Sequence, residues 1–181
     1  AASDVYKRQV FNYQKLYFFK TLLAYGASPE RSILMTEEIK RLSQLIKQSQ
    51  RIVFFGGAGV STESQIPDFR SNDGLYGDKQ AKRYPYPPET MLSHSFFEQH
   101  TKEFFEYYFD KMVYPDAKPN PAHIALAKLE QMGKLSAVIT QNIDGLHQMA
   151  GSRRVCELHG SVHRNFCMNC GKKYNLSQML E

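Results

Sequence analysis

Hydrophobic positions change their rhythm along the chain, and the changes mark out its elements. From Thr36 the apolar residues Ile39, Leu42, Leu45 and Ile46 recur at helical spacing, with Thr36 placed to cap and Glu37 and Glu38 suited to the positive end of the helix dipole. This predicts a surface helix packed on a sheet. Ile52-Val53-Phe54-Phe55 is then a short unbroken apolar run bounded by glycines, the pattern of a strand buried on both faces of a parallel sheet. A helical stretch over 122–132, with Gly133 as its C-terminal cap, leads into a second strand over 136–140. Strand, long excursion, helix, strand is the order of an α/β domain. The intervening residues 71–119 carry Pro85, Pro87, Pro88 and Pro115 and an aromatic helix around 96–108. They are expected to cover the crevice at the strand ends, where open α/β sheets bind ligands.

Residues 1–34 do not share this order. Tyr6, Phe11, Tyr13, Tyr17, Phe18, Phe19 and Tyr25 follow no period, and the segment closes on Gly26-Ala27-Ser28-Pro29. It has neither the uninterrupted apolar core nor the cleavage site of a signal peptide. The expectation is a poorly ordered extension or upstream read-through, with Met35 as the natural start.

Composition narrows the class. A chain of 181 residues, 42% hydrophobic and 23% charged, suits one soluble globular domain. Its three cysteines, an odd number, argue against a disulfide framework and for a reducing cytoplasm. The net charge of +5 is scattered, without the basic run that tracks a phosphate backbone, so nucleic acid is not an expected partner. Lys15 and Lys20 interrupt the greasiest early segment, and no stretch reaches the roughly 18 apolar residues of a membrane span.

Candidate chemistry begins where the first strand ends. Gly56-Gly57-Ala58-Gly59-Val60-Ser61 can turn tightly and bring backbone N–H groups to a pyrophosphate. A third fingerprint glycine would fall at Thr62, and no second strand ending in an acidic residue follows about 20 positions on, which counts against a nicotinamide dehydrogenase. A glycine turn without a ligand is the alternative. Asn142-Ile143-Asp144-Gly145, just beyond the second strand, is likewise either a ligand loop or an Asx turn.

Taken together, Ile66-Pro67-Asp68-Phe69-Arg70-Ser71, Gly74-Leu75-Tyr76, Pro121-Ala122-His123, Thr140-Gln141-Asn142-Ile143-Asp144-Gly145-Leu146-His147 and Glu157-Leu158-His159-Gly160 resemble the sirtuin (Sir2) family of NAD-dependent protein lysine deacylases, in family order and spacing. The resemblance runs from about Glu37 to the C-terminus. It implies an α/β fold, a Rossmann-like parallel sheet over 35–160 with a helical cofactor loop (71–119), and the start of a small inserted zinc-binding module over 161–181, incomplete at the C-terminus. One departure stands out: the family has glycine where this chain has Gln65, and a positive backbone dihedral there would cost about 1 kcal/mol.

The resemblance also implies roles. NAD is the co-substrate; the acyl-lysine carbonyl oxygen attacks the ribose carbon that loses nicotinamide, and a ribose hydroxyl is then deprotonated. His159 matches the family's base, as a neutral imidazole can at physiological pH. The other histidines, His94, His100, His123, His147 and His163, are left to packing or surface roles. Asn142 would position the nicotinamide ribose or a water, Ile143 and Asp144 would hold the carboxamide, and Gln141 would contact the ribose. Gly57, Ala58, Gly59, Ser61 and Thr62 would line the pyrophosphate, with Asp68 in the same cofactor loop. Phe69 would shield the reacting ribose and Arg70 would anchor the loop or the phosphates.

Sirtuins that favour acidic acyl groups place a tyrosine and an arginine three residues apart. Tyr107 and Asp110 fall on those positions, and a carboxylate there favours neutral acyl groups such as acetyl. Cys167-Met168-Asn169-Cys170 has zinc-knuckle spacing and supplies half of a structural zinc site. The implied function is deacetylation of an acyl-lysine protein or peptide, with mono-ADP-ribosyl transfer, or NAD or ADP-ribose binding without turnover, as alternatives.

Overall fold

The computed structural model describes residues 29–69, 71, 74, 75 and 84–181, so the expectation for residues 1–28 lies outside the described residues. The chain divides into two compact units at Gln48 and Ser49. In the first, helix α1 spans Pro29–Gln48. It begins seven residues before the expected Thr36, because Pro29 is well suited to the first turn of a helix, where its missing N–H has no intrahelical partner to lose. No helix among the described residues is long and apolar enough to cross a membrane.

The second unit is built on a parallel sheet of β1 (Ile52–Gly56), β2 (Leu135–Thr140) and β3 (Val155–Glu157), in that spatial order. β1 registers Phe54 on Val138 and Gly56 on Thr140, and β2 registers Thr140 on Glu157. Short helices α2 (Pro88–Met91), α3 (His94–Gln99) and α4 (Thr101–Lys111) lie in the excursion, and α5 (Pro121–Gln131) leads into β2. After α6 (Leu146–Met149) and β3, a two-stranded antiparallel sheet pairs β4 (Asn165–Phe166) with β5 (Lys173–Tyr174) before α7 (Leu176–Leu180).

The main core is one-sided. Phe54, Val60, Leu126, Leu135 and Val138 cluster where α5 meets the sheet. α5 is closed as the sequence predicts: Gly133 adopts φ +72°, its N–H donates to Glu130 O, and the N–H of Lys134 donates to Leu129 O. β1, however, is not buried on both faces, since Val53 is 55% and Phe55 40% exposed. The apolar run reads as fully buried, but only the Phe54 face meets α5. The aromatic helix expected over 96–108 is two helices broken at His100 (φ −134°, ψ 51°). The break lets Phe96 and Tyr107 share one cluster with Met91.

Candidate active site

Three parallel strands end at one edge of the sheet, so the segments that follow them must meet there. The turn after β1 delivers Gly57 to Ser61, the loop after β2 delivers Gln141 to Asp144, and the turn after β3 delivers His159.

Ser61 is the junction. It is fully buried, and its hydroxyl donates to Asp144 Oδ2 at 2.7 Å while accepting from Asn142 Nδ2 at 2.9 Å. Asn142 Nδ2 also lies 3.3 Å from Asp144 Oδ2, and Asp144 Oδ1 accepts from the N–H of Leu146 at 2.9 Å. His123 reaches the same hydroxyl at 3.4 Å through Nε2. Its Nδ1 accepts the N–H of Asn120 at 3.3 Å, so the neutral ring carries its proton on Nε2 and donates it toward Ser61. Burial holds the His123 imidazole below the usual histidine range, with Asp144 pulling weakly the other way.

His159 stands at the exposed rim, with Nδ1 2.9 Å from Gln141 O. A carbonyl only accepts, so Nδ1 carries the proton and Nε2 keeps its lone pair. Among the described residues Nε2 makes no hydrogen bond. That is the tautomer a general base needs, held by the loop that also positions Asn142 and Asp144.

The glycine turn leaves room for a ligand, since a Cβ added at Gly59 would meet no atom within 4 Å. Thr62 is exposed and bonds back to Gly59 O, and Ala58 begins a short 3-10 turn. Gln65 takes φ +65° and ψ +21°, the only positive φ outside glycine among the described residues, so the left-handed backbone expected there is present. Asp68 accepts the N–H of Ser71, and its backbone oxygen lies where a Cβ on Gly74 would come within 2.7 Å. Phe69 is half-buried; Arg70 and Tyr76 lie outside the described residues. Ile143 packs against Val113, Val162 and Leu176.

Not every candidate joins this cluster. Tyr107 is 2% exposed within the α2–α4 cluster, so it is core rather than a side chain turned to a ligand. Asp110 accepts from Tyr84 Oη at 2.6 Å. Cys167 and Cys170 sit in the β4–β5 turn, and among the described residues no group of three or more His, Cys, Asp or Glu could hold a metal ion. Packing alone also does not describe His123 and His147: their rings meet at 4.7 Å beneath Ser61's network. The only sequence signal for His123 was its place in the Pro-Ala-His motif.

A family model described as the Sir2 family matches residues 57–181. The chain belongs to the Sir2 family. This Sir2 chain is 58% identical over 149 residues to the NAD-dependent protein deacetylase of Clostridium acetobutylicum, which covers 82% of the chain and 60% of that protein. It is 64% identical over 141 residues to the protein of the same name from Clostridium tetani, covering 78% of the chain and 56% of the relative. The chain thus spans under two-thirds of the length of these curated relatives. Among solved structures, Sir2 with a p53 peptide and NAD+ matches at TM-score 0.63 and 42% identity, over 77% of this chain and 52% of that one. Sir2 bound to an acetylated peptide matches at 0.63 and 40%, with the same coverage. The Rossmann-like Sir2 fold with its parallel sheet is therefore established for the chain.

Proposed function

We propose that this Sir2 chain carries the reacting part of an NAD-dependent protein lysine deacetylase, which moves the acyl group of an acyl-lysine protein or peptide to ADP-ribose and releases nicotinamide. The observation that carries the reading is His159, with Nδ1 tied to Gln141 O and Nε2 free, at the sheet edge that also holds Ser61, Asn142 and Asp144. The relatives' names and the peptide and NAD+ complexes support it.

NAD, when bound, supplies the ribose carbon that accepts the acyl oxygen as nicotinamide departs. The open backbone at Gly59, with Gly57, Ala58, Ser61 and Thr62, would take the pyrophosphate. Asn142 spends its amide nitrogen on Ser61 and Asp144, which leaves Oδ1 to accept from a ribose hydroxyl or a water. Ile143 and Asp144 would hold the carboxamide, and Gln141 would contact the ribose. His159 Nε2 would take the proton of a ribose hydroxyl. Asp68, Phe69 and Arg70 belong to the loop that would close over the reacting ribose. Cys167 and Cys170 would be two ligands of a structural zinc, and the free thiols suit a reducing cytoplasm.

The test is to incubate the chain with NAD and an acetyl-lysine peptide, following nicotinamide and the peptide's mass together. Loss of acetyl matched by nicotinamide is expected, with His159→Ala lowering the rate by about 100-fold or more. A peptide that instead gains ADP-ribose would make the protein a transferase. Thermal stabilisation by NAD with no nicotinamide released would make it a binding module.

A further inference from the structure

The side chain of His159 makes one hydrogen bond among the described residues, from Nδ1 to Gln141 O, and it stands at an exposed rim. One exposed bond to a carbonyl is too weak to fix a ring by itself. The path of its loop does more. The N–H of Leu158 donates to Thr140 O at 2.9 Å, the N–H of Val162 to Ile143 O at 3.0 Å, and His163 Nε2 to Asp144 O at 3.1 Å. Residues 158–163 therefore run alongside the loop after β2, and the bond of His159 to Gln141 is made only while they keep that path.

Opposite charges stand at the two ends of this path. Glu157 is the last residue of β3, and Arg164 immediately precedes β4. Arg164 Nη1 donates to Glu157 Oε2, and Gln148 Nε2 on α6 donates to Glu157 Oε1 at 2.9 Å. The Glu157 side chain is 5% exposed, that of Arg164 65%. Strand residues two apart share a face, so Glu157 lies on the side of β3 from which Val155 packs against the main core. For stability alone that is a poor place for a carboxylate, since apolar side chains of similar size would pack there without the cost of desolvating a charge. The value of the pair is geometric: a charge-assisted bond, strong and directional, joins the two ends of the loop that carries the base.

We propose that Glu157 is a positioning residue for His159: with Arg164 as its partner it closes the loop 158–163, and so holds the imidazole with its proton on Nδ1 and its lone pair on Nε2. Glu157 itself touches no reacting atom. Without the pair the loop ends separate, the bond to Gln141 O is no longer enforced, and the ring divides between its two neutral tautomers. Only one of these can take a proton through Nε2. The consequence for rate rests on the deacetylase reading, whereas the consequence for the ring does not.

Long-range proton–nitrogen NMR of the 181-residue chain reads the tautomer directly, at a pH where imidazole is neutral and with the His159 signals identified by their loss in His159→Ala. The wild type and Arg164→Lys are expected to show the Nδ1-protonated form, and Arg164→Ala and Glu157→Gln a mixture. In the deacetylase assay Arg164→Ala is expected to lower kcat by about tenfold and to change KM for NAD by less than about twofold, because the Gly57–Thr62 turn is untouched; Arg164→Lys should restore most of the rate. Arg164→Ala also strands a buried carboxylate, so the double variant Glu157→Met with Arg164→Leu removes both charges. It is expected to keep wild-type stability and still show the mixed tautomer and the lower kcat. A folded variant lacking the pair whose His159 keeps the wild-type tautomer would overturn the proposal, as would a mixed tautomer in the wild type or a mixed tautomer in the variants with kcat unchanged. A wild-type ring protonated on Nδ1 and mixed in the variants, in a chain that releases no nicotinamide, would support the positioning role and strike the deacetylase reading alone.

Discussion

His147 is 1% exposed, and neither of its ring nitrogens has a hydrogen-bond partner among the described residues. It lies against Phe54 and His123, and burial, reinforced by His123 and opposed by Asp144, pushes its pKa down to about 4. In the unfolded chain the ring titrates near the ordinary histidine value of about 6.5. Between these values the unfolded state binds more protons than the folded one, so stability rises with pH and is lost as pH falls from about 6.5 toward 4. The full shift is worth at most about 3 kcal/mol. Urea unfolding of the wild type at pH 7 and pH 4 is therefore expected to differ by more than that of His147→Phe, whose buried ring cannot take up a proton. Gln65 gives a second prediction. Its left-handed backbone costs about 1 kcal/mol, partly offset by the greater unfolded freedom of glycine, so Gln65→Gly should raise the unfolding free energy by about 0.5 kcal/mol. Gln65→Val, β-branched at positive φ, should lower it by about 1–2 kcal/mol. The dihedral was legible because the family's glycine marks the position. The orphaned imidazole was not, since nothing in Gly145-Leu146-His147 says that the ring turns inward.

Asn120 joins two elements. Its Oδ1 accepts from the N–H groups of Ala122 and His123 at the start of α5, while Nδ2 donates to Val60 O at 2.7 Å and Ser64 Oγ at 3.1 Å. The helix cap thus also fastens the glycine turn after β1. Asn120→Ala removes a cap worth about 1 kcal/mol and leaves a buried carbonyl unpaired for about 1–3 more. A loss of about 2–4 kcal/mol in chemical denaturation is expected, together with weaker NAD binding because the turn is released. The cap was visible in Asn120-Pro121, whereas its second contact spans 60 residues and was not. The break at His100 escaped for a similar reason. No Gly or Pro marks it, and it follows from the burial of Phe96 and Tyr107 in one cluster with Met91.

For the molecule as a whole, the sheet covers one face better than the other. Val53 and Phe55 project from the less covered face of β1, in register with Ala137 and Ile139 of β2. Replacing Phe55 with Lys is expected to change unfolding free energy by less than about 1 kcal/mol, while lowering concentration-dependent light scattering. Local chemistry alone determined the first two strands, the Gly133 cap and the chain order of the loops, whereas the histidine in the rim motif was singled out by the family resemblance. The strands, cap and loops depend on neighbouring residues, through turn conformation and side-chain period. The parallel register that brings Ser61, Asn142, Asp144 and His159 to one edge was decided by the tertiary structure. So were the inward His123 and His147 and the exposed face of β1. Each of these is set by which surfaces remain after distant segments pack, and an apolar run reads the same whether one of its faces is covered or both.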